Sequence, residues 1–158
     1  MKKLIILSLL LAVLGVGCGQ TNIVPFKCSI KPDKEYYVTP EYPIIEFSLK
    51  NIGNKQIIIE EGAREAMKIT FHITRENDSN TFRVRLAINA LYAEDKEKIV
   101  LPGETVVTSC DIRDLIKGKG GATGLKELKP GVYEIQASYY YNNRQVFSNT
   151  ITVKVKDK

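Results

Sequence analysis

The sequence predicts an all-β fold, an antiparallel β-sandwich of about 7–9 strands. Three observations predict it. Apolar and polar residues alternate with period two in segment after segment. Turn-forming Gly, Asn, Asp and Pro punctuate those segments at strand-length intervals. Beyond the first 17 residues, helical periodicity is weak and confined to Ala87–Glu97.

Phe26, Cys28 and Ile30 alternate with Lys27 and Ser29, giving a first strand with one dry face. Ile45, Phe47 and Leu49 alternate with Glu46, Ser48 and Lys50, and Asn51-Ile52-Gly53-Asn54 then offers a turn. Ile57 to Ile59 is a short apolar strand. Met67, Ile69, Phe71 and Ile73 form the buried face of the next strand. The polar run Glu76 to Asn80 turns the chain into Phe82, Val84 and Leu86, with Arg83 and Arg85 on the wet side.

In the second half, Ile99–Leu101 is a brief strand stopped by Pro102-Gly103. Glu104–Cys110 follows, Asp111–Ile116 can form one helical turn, and Lys117–Gly124 is a glycine-rich loop. The last two strands are the clearest. Tyr133, Ile135, Ala137 and Tyr139 share a face. After Asn142-Asn143, the same counting places Phe147, Ile151, Val153 and Val155 together.

The start of the chain is of a different kind. Lys2 and Lys3 precede the apolar run Leu4–Val16, and small residues lead into Cys18. That is the plan of a secretory signal, too short to span a bilayer, which takes about 20 residues. Leu14 to Cys18 resembles the lipobox of bacterial lipoproteins, with Gly15 standing where a leucine is usual. The resemblance implies cleavage before Cys18 and a diacylglycerol on its sulfur. The expected organisation is a signal peptide over 1–17, a lipidated tether over 18–24 and one sandwich domain over 25–158. The tether reaches about 20 Å at most.

Removing the signal leaves 141 residues, one domain with enough chain for a real core. The charge of +5 falls to about +3 without Lys2 and Lys3, and no long basic block exists, so nucleic-acid binding is not expected. An exported compartment permits disulfides, and Cys28 and Cys110 remain once Cys18 is assigned to lipid. A bridge between them would close a loop of about 80 residues and stabilise by roughly 4.5 kcal/mol. The other reading is two separately buried thiols.

The segment from Leu128 through Pro130-Gly131-Val132-Tyr133 to Ala137 resembles the entry to a late strand in immunoglobulin-like and fibronectin type III-like domains. Phe47 to Asn54 resembles an early strand and turn of bacterial immunoglobulin-like domains. The resemblance implies that Tyr133 is the tyrosine of a tyrosine corner. With no Trp in the chain, the core tryptophan of antibody domains is missing.

Catalytic chemistry finds little support. His72 is the only histidine and falls on the wet side of its strand, where one imidazole cannot build a triad. No metal site or cofactor is expected, because zinc would need several nitrogen or sulfur ligands. Residues 117–124 match neither phosphate-loop spacing. Glu60, Glu61, Glu94 and Asp95 are adjacent acids in expected turns, and glycosidase chemistry needs two carboxylates across a cleft. Tyr139-Tyr140-Tyr141 is the most suggestive cluster, since tyrosine suits interfaces. Tyr140, Tyr141 and Arg144 form the candidate binding surface. In the plainer reading, Tyr139 packs inside while Tyr140 and Tyr141 cover the sheet edge. The expected function is a membrane-anchored, non-enzymatic binding or accessory module of the cell envelope, held by its lipid and partnered by an envelope protein. The alternative is a β-sandwich proteinase inhibitor, from the Leu49-Lys50-Asn51 and Pro130-Gly131-Val132-Tyr133 segments.

Overall fold

The computed structural model describes residues 24–61, 68–78, 81–85, 96–113 and 128–158. Residues 1–23, which include the expected signal peptide, Cys18 and all but the end of the expected tether, lie outside the described residues. So do the glycine-rich segment 117–124, Met67, Leu86 and residues 87–95 of the stretch Ala87–Glu97 for which weak helical periodicity is expected.

Ten strands occur among the described residues. They are β1 (Phe26–Pro32), β2 (Tyr36–Val38), β3 (Ile44–Asn51), β4 (Ile57–Glu61), β5 (Ile69–Arg75), β6 (Thr81–Arg85), β7 (Lys96–Val100), β8 (Thr105–Asp111), β9 (Gly131–Tyr141) and β10 (Arg144–Lys156). They pair as a three-stranded sheet β1-β3-β8, a five-stranded sheet β2-β10-β9-β5-β6 and the pair β4-β7. Every pairing is antiparallel except β2 with β10. The architecture is an antiparallel β-sandwich, with more strands than the sequence predicts. The addition is β2, whose three residues are too few to show a period.

The two larger sheets meet through aromatic side chains. Tyr139 of β9 stacks on Phe47 of β3, centroids 6.1 Å apart, and receives the edge of Phe26 of β1 at 5.5 Å. Ile45, Leu49, Ile69, Phe71, Ile73, Tyr133, Ile135 and Val153 fill the rest of one continuous core. Ile57, Ile59 and Val100 bring the β4-β7 pair into it. Each set obeys the two-residue alternation of its strand, because successive side chains leave a pleated strand on opposite faces.

Local chemistry sets the β9-β10 hairpin. Its loop is only Asn142 and Asn143, both at positive φ (45° and 61°). A two-residue turn of the primed type needs that backbone at both positions, and Asn tolerates it better than other side chains. At the entry to β9, Arg75 Nη2 donates to the Pro130 carbonyl oxygen at 2.5 Å. A Cβ on Gly131 (φ 156°) would meet Arg75 Nε at 2.8 Å, so glycine makes room for that guanidinium. The Tyr133 hydroxyl donates to the Lys129 carbonyl oxygen at 2.6 Å, the back-bond that defines a tyrosine corner.

The expected bridge between Cys28 and Cys110 is corrected by register. Both side chains are buried but not joined. They sit on strands flanking β3 on opposite sides, Cys28 opposite Leu49 and Cys110 opposite Ile45. Two strand spacings and four residues of rise separate their Cα atoms by about 16 Å. A disulfide tolerates at most about 7 Å. Burial pushes the Cys28 thiol up to about 12, so it stays protonated near neutrality.

One irregularity shapes the outer face of the five-stranded sheet. Phe147 lies opposite Ser138 and Thr150 opposite Gln136, so β10 spends three residues where β9 spends two. This bulge at Ser148 and Asn149 reverses the alternation of β10. Val153 and Val155 keep the buried face, while Phe147 turns outward and is half exposed. The expectation that Phe147 shares a face with Ile151, Val153 and Val155 is therefore corrected. Side-chain hydrogen bonds tie the bulge to both sheets. Ser148 Oγ accepts from the Ala137 N–H at 2.9 Å, and Gln136 Nε2 donates to the Ser148 carbonyl oxygen at 3.1 Å. Asn149 reaches across to the other sheet, accepting from Ile30 N–H at 2.9 Å and donating to the Ile30 carbonyl oxygen at 3.1 Å. Its side-chain amide thus takes the place of a neighbouring strand for that residue of β1, which lies at its sheet's edge.

Candidate functional site

The outer face of the five-stranded sheet assembles in rows from the strand register. Glu134 lies between Thr152 and Thr74, with Thr81 beyond. Gln136 lies between Thr150 and His72, with Arg83 beyond. Ser138 lies between Phe147 and Thr70, and Tyr140 pairs with Gln145. Across β10, β9, β5 and β6 these rows carry mostly hydroxyl and amide groups with two half-exposed rings, Phe147 and Tyr140, and at the β2 edge a third exposed ring, Tyr36, lies beside Lys154 and Lys156.

Ser138 is the centre of this face. It points outward by alternation yet is only 2% exposed. Gln145 Nε2 donates to its oxygen at 2.8 Å, and His72 Nε2 lies 3.1 Å from it. The hydroxyl in turn reaches the Thr70 carbonyl oxygen at 3.4 Å. With the proton on His72 Nε2, Ser138 accepts two bonds and donates one, which uses the full capacity of a hydroxyl. The Phe147 ring leans toward the imidazole, centroids 5.8 Å apart. Four side chains from three strands are thus held in one arrangement before any ligand arrives.

A serine beside a histidine invites comparison with a nucleophile and its base, which the sequence reading did not pair. The geometry argues against that role. The serine oxygen is buried and committed to its neighbours, whereas a nucleophile must reach a substrate carbon. Burial, together with the Arg83 guanidinium, holds the imidazole below its ordinary pKa of 6.5, which weakens it as a base. Among the described residues, no group of three or more His, Cys, Asp or Glu could hold a metal ion.

That lowered pKa has a measurable consequence. Below pH 6.5 the unfolded imidazole takes up a proton before the folded one does. Stability from this residue is therefore complete above pH 6.5 and declines as pH falls toward the lowered folded value. Denaturant titrations between about pH 7.5 and about pH 5.5 should show a decline that His72→Gln removes in part. Parallel curves for the two proteins would contradict the assignment.

The surface expected at Tyr140, Tyr141 and Arg144 is divided by the sheet. Tyr140 lies on the outer face, half exposed, its hydroxyl 3.5 Å from Asn143 Oδ1. Tyr141 leaves the strand on the opposite side and packs edge-on against Phe26 at 5.1 Å. Arg144, opposite Tyr141 in the hairpin, is exposed on that side. Arg83 joins the outer face. The side chain of Arg85 is outside the described residues. His72 lies on the wet side as expected, though half-buried and bonded rather than solvated. Sequence reasoning missed Ser138, Gln145, Gln136 and Phe147. The available signal was Ser148-Asn149-Thr150, three consecutive polar residues that put Asn149 where alternation calls for an apolar one.

No known protein family matches the sequence, and no curated protein matches it. Among solved structures, the chain is similar to a β-glucosidase from Erythrobacter marinus (12% identity, TM-score 0.47), covering 83% of this chain and 15% of that one. It is similar to a β-glucosidase from Listeria innocua (13%, TM-score 0.44), covering 84% and 16%. A third similarity is to the CARDB domain of a Pyrococcus furiosus protein (13%, TM-score 0.43), covering 83% and 94%. The chain thus spans about one-sixth of the β-glucosidases' length, and none of these likenesses bears on activity. Strand order and packing define the class as an immunoglobulin-like β-sandwich domain.

Proposed function

We propose that this chain is a lipid-tethered, non-enzymatic binding module of a bacterial cell envelope, and that the outer face of β10, β9, β5 and β6 is its binding face. The observation that carries the reading is Ser138. A serine on an outward-facing position has become a buried centre for Gln145, His72 and Thr70, beneath an exposed phenylalanine. A merely solvated sheet face needs no such network. Fixing polar side chains in advance lowers the entropy lost when a ligand binds.

The tether rests on the sequence of residues 14–18. Two or three acyl chains supply the dual hydrophobic signal that stable anchoring requires, at about 0.8 kcal/mol per buried methylene. Cys18→Ala is expected to move the protein from membranes to the soluble fraction or to leave an unprocessed precursor. Mature-sized Cys18→Ala protein still sedimenting with membranes would contradict lipidation. For the binding face, chemical crosslinking in native membranes should retain material with the wild-type chain and lose it with Phe147→Ala. Equal capture by both chains would remove this face from the function.

A further inference from the structure

The composition and size of the face select among ligands. From Glu134 to Tyr140 is about 20 Å along β9, and from β6 to β10 about 14 Å across, an area of about 300 Å². A standard protein interface takes about 800 Å² from each partner. The face is therefore small for a protein and ample for a chain of a few rings. Within that area the described charged side chains are Glu134 and Arg83, and Lys154 and Lys156 of β10 continue the face just beyond Thr152, beside Tyr36. Between the two rings, Phe147 and Tyr140, the described side chains are amides and hydroxyls, and the lysines lie at the far, β2 end of the sheet.

The uncharged groups have a different complement. Gln136, Gln145, Thr150, Thr152, Thr70 and Thr74 are amides and hydroxyls, each both donor and acceptor. Sugar hydroxyls are likewise both donor and acceptor, so either group can reverse roles to suit the other. Phe147 and Tyr140 are 50% and 51% exposed, on neighbouring strands two residues out of register. That diagonal places their Cα atoms about 8 Å apart. A pyranose presents C–H bonds on its flat face, which pack favourably on the electron-rich face of an aromatic ring. A fatty chain would leave the surrounding amides and hydroxyls without partners.

We infer that this face binds an uncharged oligosaccharide or polysaccharide, with Phe147 and Tyr140 as stacking platforms and Gln136, Gln145 and Thr150 as hydroxyl partners. The inference rests on the binding-face reading and adds the ligand class to it. Ser138 and His72 hold Gln145 and Phe147 in place and need not touch the sugar.

The test is native affinity electrophoresis of the full chain in detergent, through gels containing a β-glucan, a mannan, a xylan or a galactan, with alginate as the anionic control. Retardation is expected on at least one neutral polysaccharide. Phe147→Ala and Tyr140→Ala should each weaken it about tenfold, while Val107→Ala, exposed on the outer face of the three-stranded sheet, leaves it unchanged. Both ring positions are half exposed, so their alanine variants should retain the wild-type melting temperature. Retardation on alginate alone, on no gel at all, or insensitive to both ring variants overturns the inference. A photo-crosslinker at position 145, in native membranes, separates the two readings. Protein adducts without polysaccharide retardation sink the glycan and keep the binding face. Neither adducts nor retardation sinks both.

Discussion

Asn51→Ala is expected to destabilise the protein by about 3 kcal/mol, although the side chain lies at the end of a strand. Asn51 is fully buried where β3 gives way to the turn before β4. Its Nδ2 donates to the Lys55 carbonyl oxygen at 2.8 Å and to the Val100 carbonyl oxygen at 2.9 Å, while Oδ1 accepts from Gly53 N–H at 2.9 Å. One amide thus closes the turn and ties the three-stranded sheet to the β4-β7 pair. Alanine removes all three bonds and leaves the buried Val100 carbonyl in an apolar setting. Each such orphaned group costs about 1–3 kcal/mol, and water entering at Lys55 and Gly53 keeps the total below a simple sum. Urea denaturation checks it. Asn51→Asp should also destabilise, because a carboxylate cannot donate to either carbonyl. A loss below about 1 kcal/mol would mean that the turn stands without this amide.

Phe47→Ala should cost about 3–5 kcal/mol, the usual range for a fully buried phenylalanine. Phe47 is 1% exposed, and its ring stacks on Tyr139, which in turn meets the edge of Phe26. The row joins β3, β9 and β1, so a cavity there loosens the contact between the sheets. Removing the ring withdraws apolar burial and leaves its neighbours without contacts on one side. Phe47→Leu retains most of the volume and should cost less than half as much. Near-ultraviolet circular dichroism should show the tyrosine environment changed in the alanine variant. Equal losses for Leu and Ala would indicate that ring contacts, rather than volume, dominate this part of the core.

The sandwich was legible because its strongest signals are local. Tyr133, Ile135, Ala137 and Tyr139 announce β9 by alternation, and the Asn142-Asn143 turn places β10 beside it. Tyr36–Val38 was not legible, because its partner, the parallel segment at Lys154–Lys156, lies more than a hundred residues away. Cys28 and Cys110 could be read as buried from parity. Their separation depends on which strands lie between them and in what register, which no local pattern records.

The proposed binding face was the least legible part. Counting by twos placed Phe147 in the core, and the extra residue at Ser148-Asn149 carries it to the outside. Ser138, Gln145 and His72 come from β9, β10 and β5, so only the register of all three brings them together. Tyr140 was found by residue type, and Tyr141 was grouped with it although adjacent residues of a strand point to opposite faces.

The most direct measurement is hydroxyl-radical footprinting of the full chain in isolated native membranes, compared with the same protein purified in detergent. If the outer face of the five-stranded sheet is where this module meets its ligand, oxidation of Phe147, Tyr140 and His72 will fall in the membranes. Val107, exposed on the outer face of the other sheet, will be modified equally in both samples. Unchanged oxidation of all three residues, or protection confined to Val107 and its neighbours, would contradict the account and direct the search to the opposite face.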